Sequence, residues 1–288
     1  MKIYDIAIIG GDKRTACMAD ILAARGHNVT CFCLSENEGS YKPPMYCAES
    51  VKEALDRSRI VICGIPFEQE GYVYCAREKT KIPLSELKRC LRKRHILFAG
   101  VISEDFKAMC EERGIACYDF LAEESLTLYN AVATAEGAIL EALSHKSTLL
   151  HQSNTLVLGY GRCGRILAHK LAGLKACVTI ADRNPEKLEM ARSFGFCTLP
   201  LECVPREIPN YEYIFNTIPS CILNRDCLRK TSPDCLVIDI ASNRTGVDYP
   251  SAKALKRQVL YCPGLPGKYS HTSCGIRLSD FVLDTCNK

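Results

Sequence analysis

Thr155-Leu-Val-Leu-Gly-Tyr-Gly-Arg-Cys-Gly164 decides the reading of this chain. A run of strand character enters a turn with glycine at 159, 161 and 164, and an apolar helical pattern from Ile166 to Leu171 leaves it. In that order Gly159 permits a tight turn, Gly161 lets backbone amides approach a pyrophosphate, and Gly164 lets the helix pack closely on the strand. Asp182 stands about 20 residues further on, where an acid reaches the adenosine ribose hydroxyls of NAD. Arg183 beside it can instead pair with a 2′-phosphate, so NAD and NADP both remain open. Arg162, in the first helical turn, can approach the pyrophosphate or stay solvated.

The turn lies in the middle of 288 residues, which leaves room for a complete domain before it. Working outward, strand patterns over 4–9, 28–33, 60–63, 95–99 and 115–118 alternate with helical or loop segments, including a helix over 15–25 closed by Gly26. Residues 126–150 are Ala-rich with apolar residues at helical spacing, which predicts a long connector interrupted or distorted near Gly137. Strand patterns resume at 155–158, 177–181, 213–215, 236–240 and 259–261, and 270–286 reads as a closing helix. The alternation predicts an α/β protein of two Rossmann-like, doubly wound parallel-sheet domains with an interdomain cleft. Its divisions are an N-terminal substrate domain over 1–125, a connecting helix over 126–152, an NAD(P)-binding domain over 153–269 and a C-terminal helix over 270–288 returning to the first domain.

Composition narrows the function. The chain is 47% hydrophobic and 24% charged, as expected of folded domains. Its formal charge is only +4, its basic residues are dispersed and it has no Trp, which argues against nucleic acid. No apolar run of membrane-spanning length occurs, and a strand begins almost at the first residue, so a cytoplasmic protein is expected. The 19 cysteines include no Cys-x-x-Cys; Cys63, Cys177 and Cys262 stand where Ala or Val would serve, so small buried thiols are expected and no metal. Alternation in a strand would place Cys31 and Cys33 on one face.

Further candidates sit at strand ends and on the connector. Gly10-Gly11-Asp12-Lys13-Arg14 lacks a third glycine, since position 15 is Thr; it suits a structural turn, or a substrate whose carboxylate Lys13 and Arg14 would clamp. Asn130 and Thr134 share a helical face and can fix a polar ligand, and Glu136 is a candidate general base. Asn216-Thr-Ile-Pro219 can border nicotinamide. Arg244 and Lys268 are candidate carboxylate contacts, and His271 a candidate proton carrier.

The ordered set Ile8-Ile-Gly-Gly-Asp12, Asn130-Ala-Val-Ala-Thr-Ala-Glu-Gly137, Val157-Leu-Gly-Tyr-Gly-Arg-Cys-Gly164, Asn216-Thr-Ile-Pro-Ser220, Asp239-Ile-Ala-Ser242 and Cys262-Pro-Gly-Leu-Pro-Gly267 resembles the dipicolinate synthase A-subunit family over nearly the whole chain. The resemblance implies oxidation of a cyclic dicarboxylate, dihydrodipicolinate formed from 4-hydroxytetrahydrodipicolinate, to pyridine-2,6-dicarboxylate with NAD or NADP. It also implies the dipicolinate synthase B-subunit as partner and the mother-cell cytoplasm of a sporulating bacterium, with a homo-oligomer left open. Two stretches depart from the family. Ser242-Asn243-Arg244-Thr245-Gly246 stands where the family tends to Ser-Arg/Lys-Pro-Gly-Gly, which moves the basic group by one position; Ser270-His-Thr-Ser-Cys-Gly275 replaces a Lys-Thr-Ala-Gly pattern. The alternatives are an amino-acid or hydroxyacid dehydrogenase and a non-catalytic dinucleotide-binding subunit.

Overall fold

The computed structural model describes residues 3–34, 45–76, 81–242 and 244–287. These form two compact units, Met1–Tyr129 with Ser270–Lys288, and Asn130–Tyr269.

The first unit contains β1 (Asp5–Ile9), α1 (Lys13–Ala24), β2 (Asn28–Phe32), β3 (Met45–Cys47), α2 (Val51–Asp56), β4 (Ile60–Cys63), β5 (Glu68–Gln69), β6 (Tyr72–Val73), β7 (Ile82–Pro83), α3 (Leu84–Cys90), β8 (Ile96–Ala99), α4 (Glu104–Glu112) and β9 (Ala116–Asp119). α5 (Glu124–His145) carries the chain into the second unit. There follow β10 (Asn154–Leu158), α6 (Arg162–Gly173), β11 (Cys177–Asp182), α7 (Pro185–Ser193), β12 (Cys197–Pro200), α8 (Val204–Glu207), β13 (Tyr213–Asn216), α9 (Arg225–Lys230), β14 (Leu236–Asp239), α10 (Tyr249–Ala254), β15 (Gln258–Tyr261) and α11 (Leu265–Tyr269). α12 (His271–Asn287) packs on α1 in the first unit, where Arg25 and Asp280 pair at 2.7 Å.

Each unit holds a six-stranded parallel sheet, ordered β3-β2-β1-β4-β8-β9 and β12-β11-β10-β13-β14-β15. Both are the doubly wound Rossmann order, with the reversal beside the first strand. Helices cover both faces, so the central strands carry apolar residues on both of them, with polar residues mostly at their ends. In the first sheet Ala7, Ile9 and Val61 pack on one face and Ile6, Ile8 and Ile62 on the other. Val157, Phe215 and Ile238 oppose Leu156, Ile214 and Val237 in the second.

Several expectations require correction. α5 runs uninterrupted through Gly137, where an added Cβ would lie 2.9 Å from Leu265 Cβ, so the glycine admits a close contact. Cys63 and Cys262 are buried as expected, but Cys177 is exposed because it opens β11 at the sheet margin. β2 ends at Phe32 and Cys33 takes φ +56°, so alternation does not carry Cys31 and Cys33 onto one face.

Two buried histidines of the first unit give it an acid dependence. Nδ1 of His27 accepts from the Tyr4 amide at 3.3 Å, Nδ1 of His95 accepts from the Arg92 amide at 2.9 Å, and His95 Nε2 faces the Leu55 carbonyl at 3.1 Å. Burial is the leading cause that lowers both imidazole pKa values. The unfolded chain therefore takes up these protons first. The contribution to stability is complete above about pH 6.5 and is lost as pH falls through the lower folded values. The urea midpoint is expected to fall between pH 7 and pH 5, and His95→Gln to flatten that slope.

Candidate functional site

In open parallel sheets a ligand sits beyond the carboxyl ends of the strands, where the strand order reverses. In the second unit this point lies between β10 and β13. Gly159, at φ +93°, follows β10 directly, and a Cβ there would stand 2.5 Å from Thr217 Oγ1 and 2.9 Å from Ile218. Thr217 ties the two strand ends together by donating to the Leu158 carbonyl at 2.8 Å. A Cβ on Gly164 would lie 2.0 Å from the Gly159 carbonyl oxygen, so the helix can approach the turn only with glycine there. Gly161 caps α6 and has nothing within 4 Å of its Cβ position. The three glycines thus play the parts their spacing implies: a left-handed turn, an open approach to the helix amides and a close helix contact. The open side of Gly161 and the orphan amides of α6 fit an anion such as a dinucleotide pyrophosphate.

Asp182 ends β11 and is buried. Its Oδ2 accepts from the Tyr160 amide at 2.8 Å, inside the glycine turn, and its Oδ1 accepts from the Asn184 amide at 2.9 Å. A carboxylate offers about four acceptor positions, so room remains for ribose hydroxyls. Lys187 Nζ, which sequence reasoning did not single out, stands 3.7 Å from Oδ2. Arg183 and Arg162 are both exposed beside this turn.

The loops after β13 and β14 are held by buried polar side chains. Asn216 Nδ2 donates to Asp239 Oδ1 at 2.9 Å and to the Ile218 carbonyl at 3.1 Å, while its Oδ1 accepts from the Ile218 amide. Its donors and acceptor shape the loop that presents Pro219, which is itself exposed. Asp239, with no exposed surface, also accepts from the Ala241 amide at 3.2 Å and from Tyr249 Oη at 2.5 Å. Gly246 is forced by proximity, since its Cβ would meet Asn216 Nδ2 at 2.1 Å. Asn243, part of the departure from the family pattern, lies outside the described residues.

At the equivalent point in the first unit the glycine turn pairs with the backbone of residues 74–76. The Gly11 amide donates to the Tyr74 carbonyl at 2.7 Å, and the Ala76 amide donates back to the Gly11 carbonyl at 2.9 Å. A Cβ on Gly64 would lie 2.6 Å from Gly11 Cα. Arg14 is buried, with its guanidinium on the Asp12 carboxylate at 2.7 Å and on the Ile65 carbonyl at 2.5 Å. Arg14, expected to clamp a carboxylate, thus has its cation on Asp12 and the Ile65 carbonyl. Lys13 is the half-buried first residue of α1.

On α5, Thr134 donates to the Asn130 carbonyl at 2.8 Å and Asn130 is half-buried. Glu136 is exposed and pairs with Lys170 of α6 at 2.8 Å. His271 opens α12, with Nδ1 buried and without a hydrogen bond among the described residues.

Lys268 is held by Glu141, a buried carboxylate that sequence reasoning did not assign. Glu141 Oε1 accepts from Lys268 Nζ at 2.5 Å and from Tyr269 Oη at 2.8 Å. Burial pushes the Glu141 carboxyl up, but these two bonds outweigh it and hold it below the ordinary carboxylate range. Its stabilising contribution is therefore present above the unfolded value of about 4.3 and is lost as pH falls through the lower folded one. Glu141→Gln is expected to lower stability at neutral pH and to converge on the parent as pH falls through the lower folded value. Denaturation at several pH values checks this.

Residues 5–121 match the family model for the N-terminal domain of the dipicolinate synthase A-subunit. Over 281 residues the chain is 24% identical to the dipicolinate synthase A-subunit of Bacillus subtilis (strain 168), covering 96% of this chain and 94% of that protein. Along almost its whole length the chain resembles the dipicolinate synthase A-subunit. The crystal structure of the dipicolinate synthase A-subunit from Bacillus halodurans has a TM-score of 0.85 and 22% identity, covering 98% of this chain and 97% of that one. L-alanine dehydrogenase has a TM-score of 0.59 and 14% identity, covering 98% and 90%. The fold shared with both is the pair of Rossmann-like parallel-sheet units.

Proposed function

We propose that the chain is a dipicolinate synthase A-subunit that, with the B-subunit, oxidises dihydrodipicolinate to pyridine-2,6-dicarboxylate. The observation that carries this reading is the open glycine turn at the second unit's strand reversal, joined to the full-length resemblance. Bound there, NAD(P)+ supplies an acceptor for the hydride that leaves a ring carbon, while a proton is lost to a base and the ring becomes aromatic.

The chain's own residues bind and orient. Amides at the start of α6 meet the pyrophosphate, Asp182 accepts from ribose hydroxyls, and Arg162, Arg183 and Lys187 offer positive charge around the phosphates. Asn216 and Asp239 fix the loops that carry Pro219 and Gly246, and so shape the nicotinamide side of the site. Glu136 and His271 are the two proton carriers proposed. The reaction belongs to the mother-cell cytoplasm of a spore-forming bacterium.

Purified chain, alone and with the B-subunit, is incubated with the cyclic precursor and with NAD or NADP, and the ultraviolet band of dipicolinate is followed. Product is expected only with a nicotinamide present. Formation at the same rate without one would contradict hydride transfer.

A further inference from the structure

Beside the edge strand β15 the second unit has a cavity of about 460 Å³, lined by Glu141, Arg244, Val259, Leu260, Tyr261 and Lys268 among others. Its charges are unequal in what they can offer a ligand. Lys268 and Glu141 satisfy each other at 2.5 Å, so this pair adds little net charge. Arg244 is exposed, and among the described residues its guanidinium meets aromatic faces instead of a carboxylate: Cζ lies 4.5 Å from the Tyr249 ring centroid and 5.6 Å from that of Tyr261.

A cation over a ring is held by the ring's quadrupole and not by N–H···O bonds, so the guanidinium donors stay available. The rings are themselves fixed. Tyr249 donates to the fully buried Asp239 at 2.5 Å, and the two tyrosines meet edge to face at 6.1 Å. The arrangement combines a fork of donors with Val259 and Tyr261, which alternation places on one face of the edge strand. This chemistry suits a planar ring that carries a carboxylate.

We propose that this cavity is a ring-carboxylate subsite in which Arg244 grips the carboxylate, and that Tyr249, anchored by Asp239, positions the guanidinium. Naming the ring acid as the pyridine dicarboxylate rests on the dipicolinate synthase reading. Within the subsite Arg244 touches the ligand, Tyr249 acts through Arg244, and Lys268 keeps the wall from being acidic by neutralising Glu141. The one-position shift of the basic residue from the family pattern is then accommodated by the aromatic faces, which hold Arg244 where it stands.

Calorimetric titration of the full chain with pyridine-2,6-dicarboxylate and with benzene-1,3-dicarboxylate tests this, with NAD(P) affinity measured on every variant. Arg244→Ala is expected to weaken binding by about 30-fold or more, and Arg244→Lys to recover only part of it, because the forked donors are lost. Tyr249→Leu should weaken it by about 10-fold, and Tyr249→Phe, which keeps the ring face, by less than about 3-fold. Because Arg244 is exposed, its variants remain informative even where a Tyr249 variant folds poorly. Arg244→Ala binding as tightly as the parent, or a parent that binds neither acid, would overturn the subsite. Arg244-dependent binding of the benzene acid alone would keep the subsite and reject the dipicolinate identity.

Discussion

Gly161→Asp is expected to lower nicotinamide dinucleotide affinity by about 100-fold or more, roughly 2.7 kcal/mol, without harming the fold. The structure separates the two effects. Gly161 has an ordinary φ of −81°, nothing stands within 4 Å of its Cβ position, and Asp is a favoured helix cap. The new carboxylate would also meet the positive end of α6, so folding is expected to be unchanged or slightly better. Bound dinucleotide, however, would face a negative charge where its pyrophosphate approaches the helix amides. Gly164→Ala is the opposite case, because its Cβ would lie 2.0 Å from the Gly159 carbonyl oxygen and the turn itself must move. Calorimetry for affinity and thermal unfolding for stability check both. A Gly161→Asp variant that binds NAD(P) as the parent does would remove the turn from the cofactor site.

The second large effect is expected at Asp239. Its carboxylate is fully buried and accepts from Asn216 Nδ2, the Ala241 amide and Tyr249 Oη. Asp239→Ala leaves three donors without a partner in the loops that frame the site, and is expected to cost about 3–5 kcal/mol of stability. Asp239→Asn should cost about 1 kcal/mol, since the amide oxygen still accepts and the Tyr249 hydroxyl can rotate to accept from the new NH2. Urea denaturation reads both: the midpoint should shift while the slope stays constant. An alanine variant within about 1 kcal/mol of the parent would show that these bonds do not hold the loops.

What was legible in the sequence follows from how local each signal is. The glycine turn, its strand and its helix are contiguous, so 155–171 discloses a strand, glycine turn and helix without any knowledge of the rest. The central strands were readable as apolar runs because both their faces are covered. β3, β5, β6 and β7 are two or three residues long and have no period to detect, and β12 is a partly exposed edge strand that carries little apolar signal.

Side-chain partnerships were less accessible. Lys268 and Glu141 are 127 residues apart, and Asp239 joins Asn216 across 23, so their pairing exists only after folding. Arg14 shows why a cation at a helix start is ambiguous: the side chain reads the same whether a ligand or Asp12 takes its charge. Gly137 shows the same ambiguity for a helix glycine, which marks either a weak point or, as here, a close approach.

The most direct test of the account follows reduced nicotinamide and pyridine-2,6-dicarboxylate together in one reaction of the chain, the B-subunit, the cyclic precursor and NAD(P)+. Equal amounts of the two products, appearing at one rate and both strongly diminished in Gly161→Asp, are predicted. Dicarboxylate formed without reduced nicotinamide, or undiminished in that variant, would contradict the account.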